Sequence, residues 1–545
     1  MLHARHLPLS LLMLALAACG GGDDTPPPVT PPVTPPVTPP VTPPVTPPPA
    51  TYYQTKTPYT PQQEAATYEA APAGYAPVFT ELVARHGSRG LSSMKYDAAF
   101  YNVWQRAAAD DALTPLGQKL GADILKLMKA NALLGYGVDG ITAPGYGNLS
   151  QTGINEHKQL AVRMLARLPA LFTQLGSNAA SAPRQIVTVS SGVDRAKDSA
   201  AYFAQSLAST APAVAPLITL PPAPAGYPAG KPVAQPAGTN RFLLYAHKLV
   251  PKTDLVTDTL DRYYQTYQDS QAYQTYLKSP DFLAKYTAID TDATARTLGR
   301  EVLERLFTKA FVDKIDNGTY SFANTGTYSF TSDDGKFTNT VTGDGETTIK
   351  GLADAASVLY NLYAIMAGMT NEVKADFVQY MPSDAAKYQA FVQDYQDFYN
   401  KGPGTTESAG VTWNYVRALR EDFFTEVDAI ARGDLSHGAK LRFTHAEAII
   451  PLATAMGLKT VVGTLPAAQT YSYDNSSWRG LYVAPMAANM QWDVYRDGSG
   501  NVLVKMLYNE KETEFQAACD GARFAAGSHF YVYAKLKTCY GHVGQ

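Results

Sequence analysis

The sequence predicts an α/β protein in which a mainly parallel central sheet is flanked by helices and carries a largely α-helical insertion. Strand and helix signals alternate near both ends of the 545-residue chain, as is typical of parallel sheets with helical crossovers. The middle of the chain has tyrosine-rich segments at helical spacing, and residues 317–350 show the period-two alternation and Asp-Gly turns of β-hairpins. We therefore assign residues 51–255 and 410–545 to the α/β domain and residues 256–409 to the insertion.

The strands and helices of the α/β domain follow from local patterns. Residues 77–84 and 185–190 are short runs rich in apolar and β-branched residues, which predict strands. Thr114 at the N-cap and Pro115 at the first helical position predict the start of an amphipathic helix. A second helix is predicted over residues 152–167. These elements supply the layers of the predicted domain.

The N-terminus predicts export and a membrane anchor. Residues 1–18 have a basic start and an apolar stretch that is too short to span a bilayer, which indicates a signal peptide. The sequence LAAC that ends at Cys19 resembles the bacterial lipobox, whose cysteine is diacylated. The alternative is an ordinary secretory signal that contains a cysteine. Residues 19–50 continue as a proline-rich tether, which stays extended because proline repeats form neither helix nor sheet.

These features predict a lipid-anchored protein of the bacterial cell envelope. Gly20, rather than an aspartate, follows the cysteine, which by resemblance to known sorting favours the outer membrane. In an oxidising envelope compartment Cys519 and Cys539 could form a disulfide, although spacing alone does not establish the pairing.

The charge of the chain excludes one class of partner and leaves another open. The net charge is −3, and no basic stripe interleaved with aromatic residues occurs, so the chain is not expected to bind nucleic acid. A local cluster of arginines can still bind an anionic substrate on a mildly acidic protein.

Such a cluster is predicted at three strand-to-helix junctions, whose sequences are RHGSR, SGVDRAKDS and FTHAEA. In open α/β sheets, ligands bind outside the carboxyl ends of the strands, so the three junctions can converge on one site. The side chains that they would bring together are Arg85, His86, Arg89, Arg195, His445 and Glu447. Each of these residues alone is most simply a solvated side chain, and the joint pattern is what indicates function.

The chemistry of these side chains matches a phosphoryl group. Guanidinium groups are planar, permanently charged donors that bind phosphate oxygens in pairs. A histidine among arginines is disfavoured in its protonated form, which leaves a neutral imidazole nitrogen able to attack phosphorus.

The first junction, Arg-His-Gly-x-Arg, resembles the signature of the histidine acid phosphatase branch of the histidine phosphatase superfamily, which includes phytases. The tripeptide His-Ala-Glu at the third junction is similar to that of the multiple inositol polyphosphate phosphatase group. Further similar segments begin at Gly147, Ser191, Arg442 and Val483, in the expected order. The chain departs from the family at Gly90-Leu91, where proline is common, and this change affects the shape of the loop more than its chemistry.

The resemblance implies a role for each residue. His86 would be the nucleophile that forms a phosphohistidine, and Glu447 would be the proton donor. Water would then hydrolyse the phosphohistidine, with no metal or cofactor. The side chains that match the phosphate-binding residues of the family are Arg85, Arg89, Arg195 and His445. The histidines show no metal-ligand spacing, which agrees with this expectation.

The expected function is the hydrolysis of phosphomonoesters from inositol hexakisphosphate (phytate) and lower inositol polyphosphates. One alternative is a broad acid phosphatase that acts on sugar phosphates or other small phosphoesters. Another is an inactive, surface-anchored protein that binds a phosphorylated ligand. A phytate-binding cleft needs further cationic residues, for which the candidates are Arg184, Lys197, Arg241, Lys248 and Lys252.

Two other hydrolase motifs are rejected. The sequence GYPAGK at residues 226–231 has three residues between its glycines, where a phosphate-binding loop has four. A Gly-x-Ser-x-Gly elbow, which marks many serine hydrolases, does not occur.

Overall fold

The computed structural model describes residues 51–220, 240–461 and 463–543. The chain from Thr51 onward forms one compact unit. The predicted signal peptide, Cys19, the proline-rich tether and the sequence GYPAGK lie outside the described residues. No helix in the described ranges combines the length and apolar character needed to cross a membrane.

The strands and their order define the sheet. The strands of the described residues are β1 (Ala76–Arg85), β2 (Gln185–Ser190), β3 (Ile218–Thr219), β4 (Phe322–Ala323), β5 (Thr327–Thr331), β6 (Thr338–Thr342), β7 (Thr348–Ile349), β8 (His437–Thr444), β9 (Asn489–Arg496), β10 (Val502–Tyr508), β11 (Lys511–Glu512) and β12 (Phe530–Val532). Within the described ranges the main sheet has eight strands in the order β11-β10-β9-β1-β8-β2-β3, and β12 pairs with β10. Strands β1, β8, β2 and β3 are parallel, whereas β9 to β12 extend the sheet with antiparallel pairs. The predicted α/β class with a parallel core is confirmed.

Helices cover the sheet and form a second layer beside it. The helices are α1 (Tyr96–Ala109), α2 (Pro115–Ala132), α3 (Gln151–Arg167), α4 (Pro169–Ser177), α5 (Asp194–Thr210), α6 (Arg241–Leu244), α7 (Pro251–Asp254), α8 (Tyr264–Tyr276), α9 (Pro280–Asp290), α10 (Ala293–Glu304), α11 (Lys309–Asp316), α12 (Leu352–Met366), α13 (Ser383–Asn400), α14 (Arg417–Ala431), α15 (Ala446–Ala455), α16 (Gly480–Val483) and α17 (Tyr533–Cys539). The Thr114 side chain accepts a hydrogen bond from the Gly117 N–H and caps α2 as its sequence predicts.

The register of the parallel strands aligns the junctions that the sequence singles out. Arg85, the last residue of β1, pairs with Thr444, the last residue of β8. Ser190, at the end of β2, pairs with Phe443 on the other side of β8. Because the three strands are adjacent and parallel, the loops that follow them leave the sheet at one edge.

The helical half has a hydrophobic core of its own. Helices α1 and α2 share this core with α10 to α13, although they lie on opposite sides of the predicted boundary at residue 256. The antiparallel pair β5 and β6 confirms the predicted hairpin. The division into residues 51–255 and 410–545 on one side and residues 256–409 on the other stays a prediction.

The two cysteines of the C-terminal region are paired. Cys519 and Cys539 form a disulfide that links a short helical turn (Ala517–Ala522) to α17. The pairing that the sequence left open is thus confirmed.

Candidate active site

A cavity of about 230 Å³ lies at the carboxyl ends of β1 and β8. Its wall combines the three junctions with the N-terminal segment around residues 55–56 and with one face each of α12 and α13. Its cationic lining residues are Lys56, Arg85, Arg89, Lys95, Arg195 and Lys401. Its acidic lining residues are Asp397 and Glu447. A cavity with this excess of positive charge on a chain of net charge −3 is suited to a polyanion.

His86 lines the cavity with its side chain almost fully buried, at 2% exposure. Its Nδ1 lies 2.9 Å from the carbonyl oxygen of Gly87, and because a carbonyl only accepts, Nδ1 carries the proton. The Nε2 atom is then left with its lone pair. Burial, together with the nearby charges of Arg195 and Arg85, holds the pKa of His86 well below its usual range. The geometry therefore presents a neutral imidazole, as the sequence predicts.

The three arginines of the cavity have buried guanidinium nitrogens without a hydrogen-bond partner among the described residues, and two of them also donate to backbone carbonyl oxygens. Nη1 of Arg85 donates to the carbonyl oxygens of Thr55 and Ala484, the latter at 2.7 Å. The Nε atoms of Arg85, Arg89 and Arg195 are buried and have no partner among the described residues. Burial lowers the pKa of Arg85 to about 10 and that of Arg89 to about 9, so both stay charged at neutral pH. Unpaired, buried donors of this kind fit an anionic ligand.

His445 packs against His86 and is not among the residues that line the cavity. Their ring centroids are 5.4 Å apart in an edge-to-face arrangement. Nε2 of His445 is 2.7 Å from Oγ of Ser191, and its buried Nδ1 has no partner among the described residues. The structure thus brings His445 to the site, while its contact with phosphoryl oxygens stays a prediction.

Glu447, at the first turn of α15, projects into the cavity with 36% of its side chain exposed. Its Oε1 lies 3.4 Å from Nζ of Lys401. Burial opposes ionisation, but the ammonium group of Lys401 holds the pKa of Glu447 well below its usual range. The carboxyl group is therefore ionised in the protein alone.

Two close contacts hold the loop that carries His86. A Cβ atom at Gly87 would lie 2.4 Å from the carbonyl oxygen of Gly153 on α3, so neither the loop nor the helix tolerates a side chain there. One helical turn further, Glu156 accepts hydrogen bonds from the backbone N–H and the hydroxyl of Ser88, at 2.6 and 2.8 Å. Glu156 also accepts from the N–H of Tyr59 at 2.8 Å. Glu156 was not predicted from the sequence, although a glutamate beside the buried Gly153 and His157 on one helix face is a signal for it.

The additional cationic residues of the cleft are not the ones predicted. The cavity is lined by Lys56, Lys95 and Lys401, and none of the five candidates from the sequence lines it. Nη2 of Arg184 donates to the carbonyl oxygen of His437, the first residue of β8, at the opposite end of that strand. Arg241 forms an ion pair with Asp254 at 2.9 Å.

The remaining three candidates also fail to reach the cavity. Lys197 pairs with Asp194 at 2.7 Å, because the two lie one turn apart on α5. Lys248 and Lys252 lie on the short helical segments that follow residue 245 and do not line the cavity.

In the described ranges, no group of three or more histidine, cysteine, aspartate or glutamate side chains is placed to hold a metal ion.

The fold and the site together indicate the class of protein, which is an α/β phosphomonoester hydrolase with a histidine in an arginine-rich cavity. The family model of the histidine phosphatase superfamily (branch 2) matches residues 79–509. The chain belongs to this family. A comparison with curated protein sequences finds no match.

Solved structures agree with this assignment. The multiple inositol polyphosphate phosphatase of Bifidobacterium longum in complex with phosphate is 31% identical, with a TM-score of 0.76 over 90% of this chain and 97% of that chain. The complex of that enzyme with inositol hexasulfate is 30% identical, with a TM-score of 0.75 over the same shares. The phytase of D. castellii, at 12% identity and a TM-score of 0.52 over 90% of this chain and 84% of that chain, shares the fold.

Proposed function

We propose that the protein hydrolyses phosphomonoesters of inositol hexakisphosphate and of lower inositol polyphosphates through a phosphohistidine on His86. The observation that carries this proposal is the cavity itself, in which six cationic side chains surround a neutral imidazole and only two side chains are acidic. A single phosphate group needs fewer cations than this. The similarity to a multiple inositol polyphosphate phosphatase, at 31% identity, supports the same substrate class.

In the first step, Nε2 of His86 attacks phosphorus and the bond from phosphorus to the leaving oxygen breaks. Arg85, Arg89 and Arg195 hold the phosphoryl oxygens, because their buried guanidinium groups match the charge that these oxygens carry. Glu447, protonated in the complex, transfers its proton to the leaving oxygen as an inositol hydroxyl departs. The products of this step are the phosphohistidine, the free hydroxyl and the Glu447 carboxylate.

In the second step, water attacks the phosphohistidine. The Glu447 carboxylate accepts a proton from this water, the bond from phosphorus to Nε2 breaks, and inorganic phosphate leaves. His86 returns as a neutral imidazole and Glu447 as the protonated acid. The hydrogen bond from Nδ1 of His86 to the Gly87 carbonyl oxygen fixes the ring in the reactive tautomer throughout.

The test compares phosphate release from phytate, glucose phosphate and p-nitrophenyl phosphate by the purified protein and by His86→Ala. We expect phytate to have the highest kcat/KM, and His86→Ala to lose several orders of magnitude on all three substrates while keeping its fold. Acid quenching of the wild-type enzyme during turnover should trap an acid-labile, base-stable phosphoprotein.

Each other outcome contradicts part of the proposal. Equal kcat/KM on the three substrates would indicate a broad acid phosphatase. Phytate binding without turnover would indicate a binding protein. A His86→Ala variant with near wild-type turnover would exclude the covalent mechanism.

We also propose that the protein is lipid-anchored in the bacterial envelope, at the outer membrane. The support is the sequence around Cys19, with an apolar leader before it, Gly20 after it and a proline-rich tether beyond. Wild-type protein should take up labelled palmitate in cells, and Cys19→Ala should not. Absence of label in the wild type would refute the anchor.

A further inference from the structure

Lys401 forms a bridge between the two acidic residues of the cavity. It follows α13 directly, and its Nζ lies 3.1 Å from Oδ1 of Asp397 and 3.4 Å from Oε1 of Glu447. All three side chains line the cavity, and the Lys401 side chain is 14% exposed. The ammonium group that neutralises Glu447 is thus also within the space that a substrate phosphate would enter.

The charge around Glu447 opposes the protonated state that its catalytic role needs. Glu447 must carry a proton to assist the leaving group, yet the neighbouring positive charges keep it ionised in the protein alone. The titratable and charged groups that face it come from the His86 loop, from α5 and α8, from α13 and the residue after it, from the residue before α15, and from the short turns at residues 246–248 and 414–416. They are Arg85, Arg89, Arg195, His247, Tyr273, Asp397, Lys401, Tyr415 and His445.

Among these groups, Lys401 has the geometry to change its partner. Arg85 and Arg89 donate hydrogen bonds to backbone carbonyl oxygens, whereas the Lys401 ammonium group has three donors on a flexible stem. It can turn from a carboxylate to a phosphate oxygen within the same cavity. Loss of its contact, together with the negative charge of the phosphate, would favour the protonated form of Glu447.

We propose that Lys401 controls when Glu447 carries its proton: it keeps the carboxylate ionised before substrate binds, and a substrate phosphate then takes over its ammonium group. Lys401 is in this view a positioning residue that acts through Glu447. The proposal rests on the proposed function, because it assigns to Glu447 the part of proton donor.

The pH profiles of kcat/KM and of kcat report on Glu447 in the free enzyme and in the substrate complex separately. The pH dependence of kcat/KM reports groups in the free enzyme, and that of kcat reports groups in the complex. For a catalytic acid, the rate falls as pH rises through its pKa. With phytate, we therefore expect kcat/KM of the wild type to fall at a lower pH than kcat. The difference between these two pH values, here called the gap, measures the effect of substrate on the pKa of Glu447.

Lys401→Met tests the proposal, since it removes the charge and keeps the length of the side chain. An opposite charge at this distance lowers a carboxyl pKa by about one to three units, so its removal should move the kcat/KM limb upward by at least about one pH unit and narrow the gap. Lys401→Arg keeps the charge and should keep the gap. Lys95→Met removes another cavity lysine, for which no contact with Glu447 is seen, and should weaken binding with the gap unchanged.

The outcomes separate this proposal from the proposed function. A gap that stays the same in Lys401→Met, and in Lys401→Gln if the first variant does not fold, would refute the role of Lys401. A gap that narrows equally in Lys95→Met would refute it too, because the effect would then belong to the charge of the whole cavity. Absence of phosphomonoester turnover by the wild type would instead refute the proposed function.

Discussion

Replacing Glu156 tests how the His86 loop is held. The Glu156 side chain is 7% exposed and accepts three hydrogen bonds, two from Ser88 and one from Tyr59. Ser88 lies two residues after His86, so the carboxylate fixes the loop that carries the nucleophile. Glu156→Gln keeps the shape of the side chain but turns one of its two acceptor oxygens into a donor.

The cost follows from these contacts. In the variant, the amide group faces the N–H of either Ser88 or Tyr59, and donor then meets donor. Loss of one hydrogen bond to a charged group, with one buried N–H left unpaired, costs about 3 kcal/mol of unfolding free energy. A shift of the His86 loop by about 1 Å lowers the rate by about 10²-fold.

Urea unfolding followed by circular dichroism measures the first effect, and kcat on p-nitrophenyl phosphate measures the second. Glu346→Gln removes the same charge at an exposed position in the loop between β6 and β7, and should leave both quantities unchanged. If Glu156→Gln unfolds at the wild-type urea concentration and keeps kcat within about twofold, Glu156 does not hold the loop, and the reasoning is wrong.

Two further predictions concern the cavity. Glu447→Gln should lower kcat on phytate by about 10² to 10⁴ and much less on p-nitrophenyl phosphate, whose phenolate leaves without a proton; equal losses on both substrates would remove Glu447 from the role of acid. Burial and the charge of Arg89 lower the pKa of Lys56 to about 7, so Lys56 is charged below pH 7 and becomes neutral above it. Lys56→Met should therefore raise KM for phytate about tenfold at pH 5 and clearly less at pH 9, and an equal effect at the two values would contradict a phosphate contact.

The strands that carry the site residues could be predicted from the sequence, because each strand signal lies within a short stretch of chain. The strand signals around residues 77–84 and 185–190 match β1 and β2 closely, and the order of parallel strands brings their ends together. The neutral state of His86 was predictable in part, since its arginine neighbours lie in the same or the adjacent junction. Its burial, which is the larger cause of its lowered pKa, depends on the packing of the whole site.

Two of the three lysines that line the cavity could not be predicted in this way. Lys56 and Lys401 are brought to the site by packing of the N-terminal segment and of α13 against the junctions, and no local pattern encodes such packing. Arg184 was a reasonable candidate by charge, but it precedes β2 and therefore lies at the end of the sheet opposite to the site. A residue that precedes a parallel strand lies at its amino end, whereas the site lies at the carboxyl ends of the strands.

The cavity wall is divided between two sources. The sheet junctions contribute the nucleophile and the arginines, whereas Asn361 and Ile365 of α12 and Gln393 of α13 come from the helical layer. No hydrogen bond is seen between these three side chains and His86 or the arginines. These three side chains can therefore diverge independently of the reacting group, in evolution or in the laboratory, so that new phosphoesters become accessible while the phosphoryl-transfer step stays intact. Asp397 and Lys401 at the end of α13 are the exception, because Lys401 contacts Glu447.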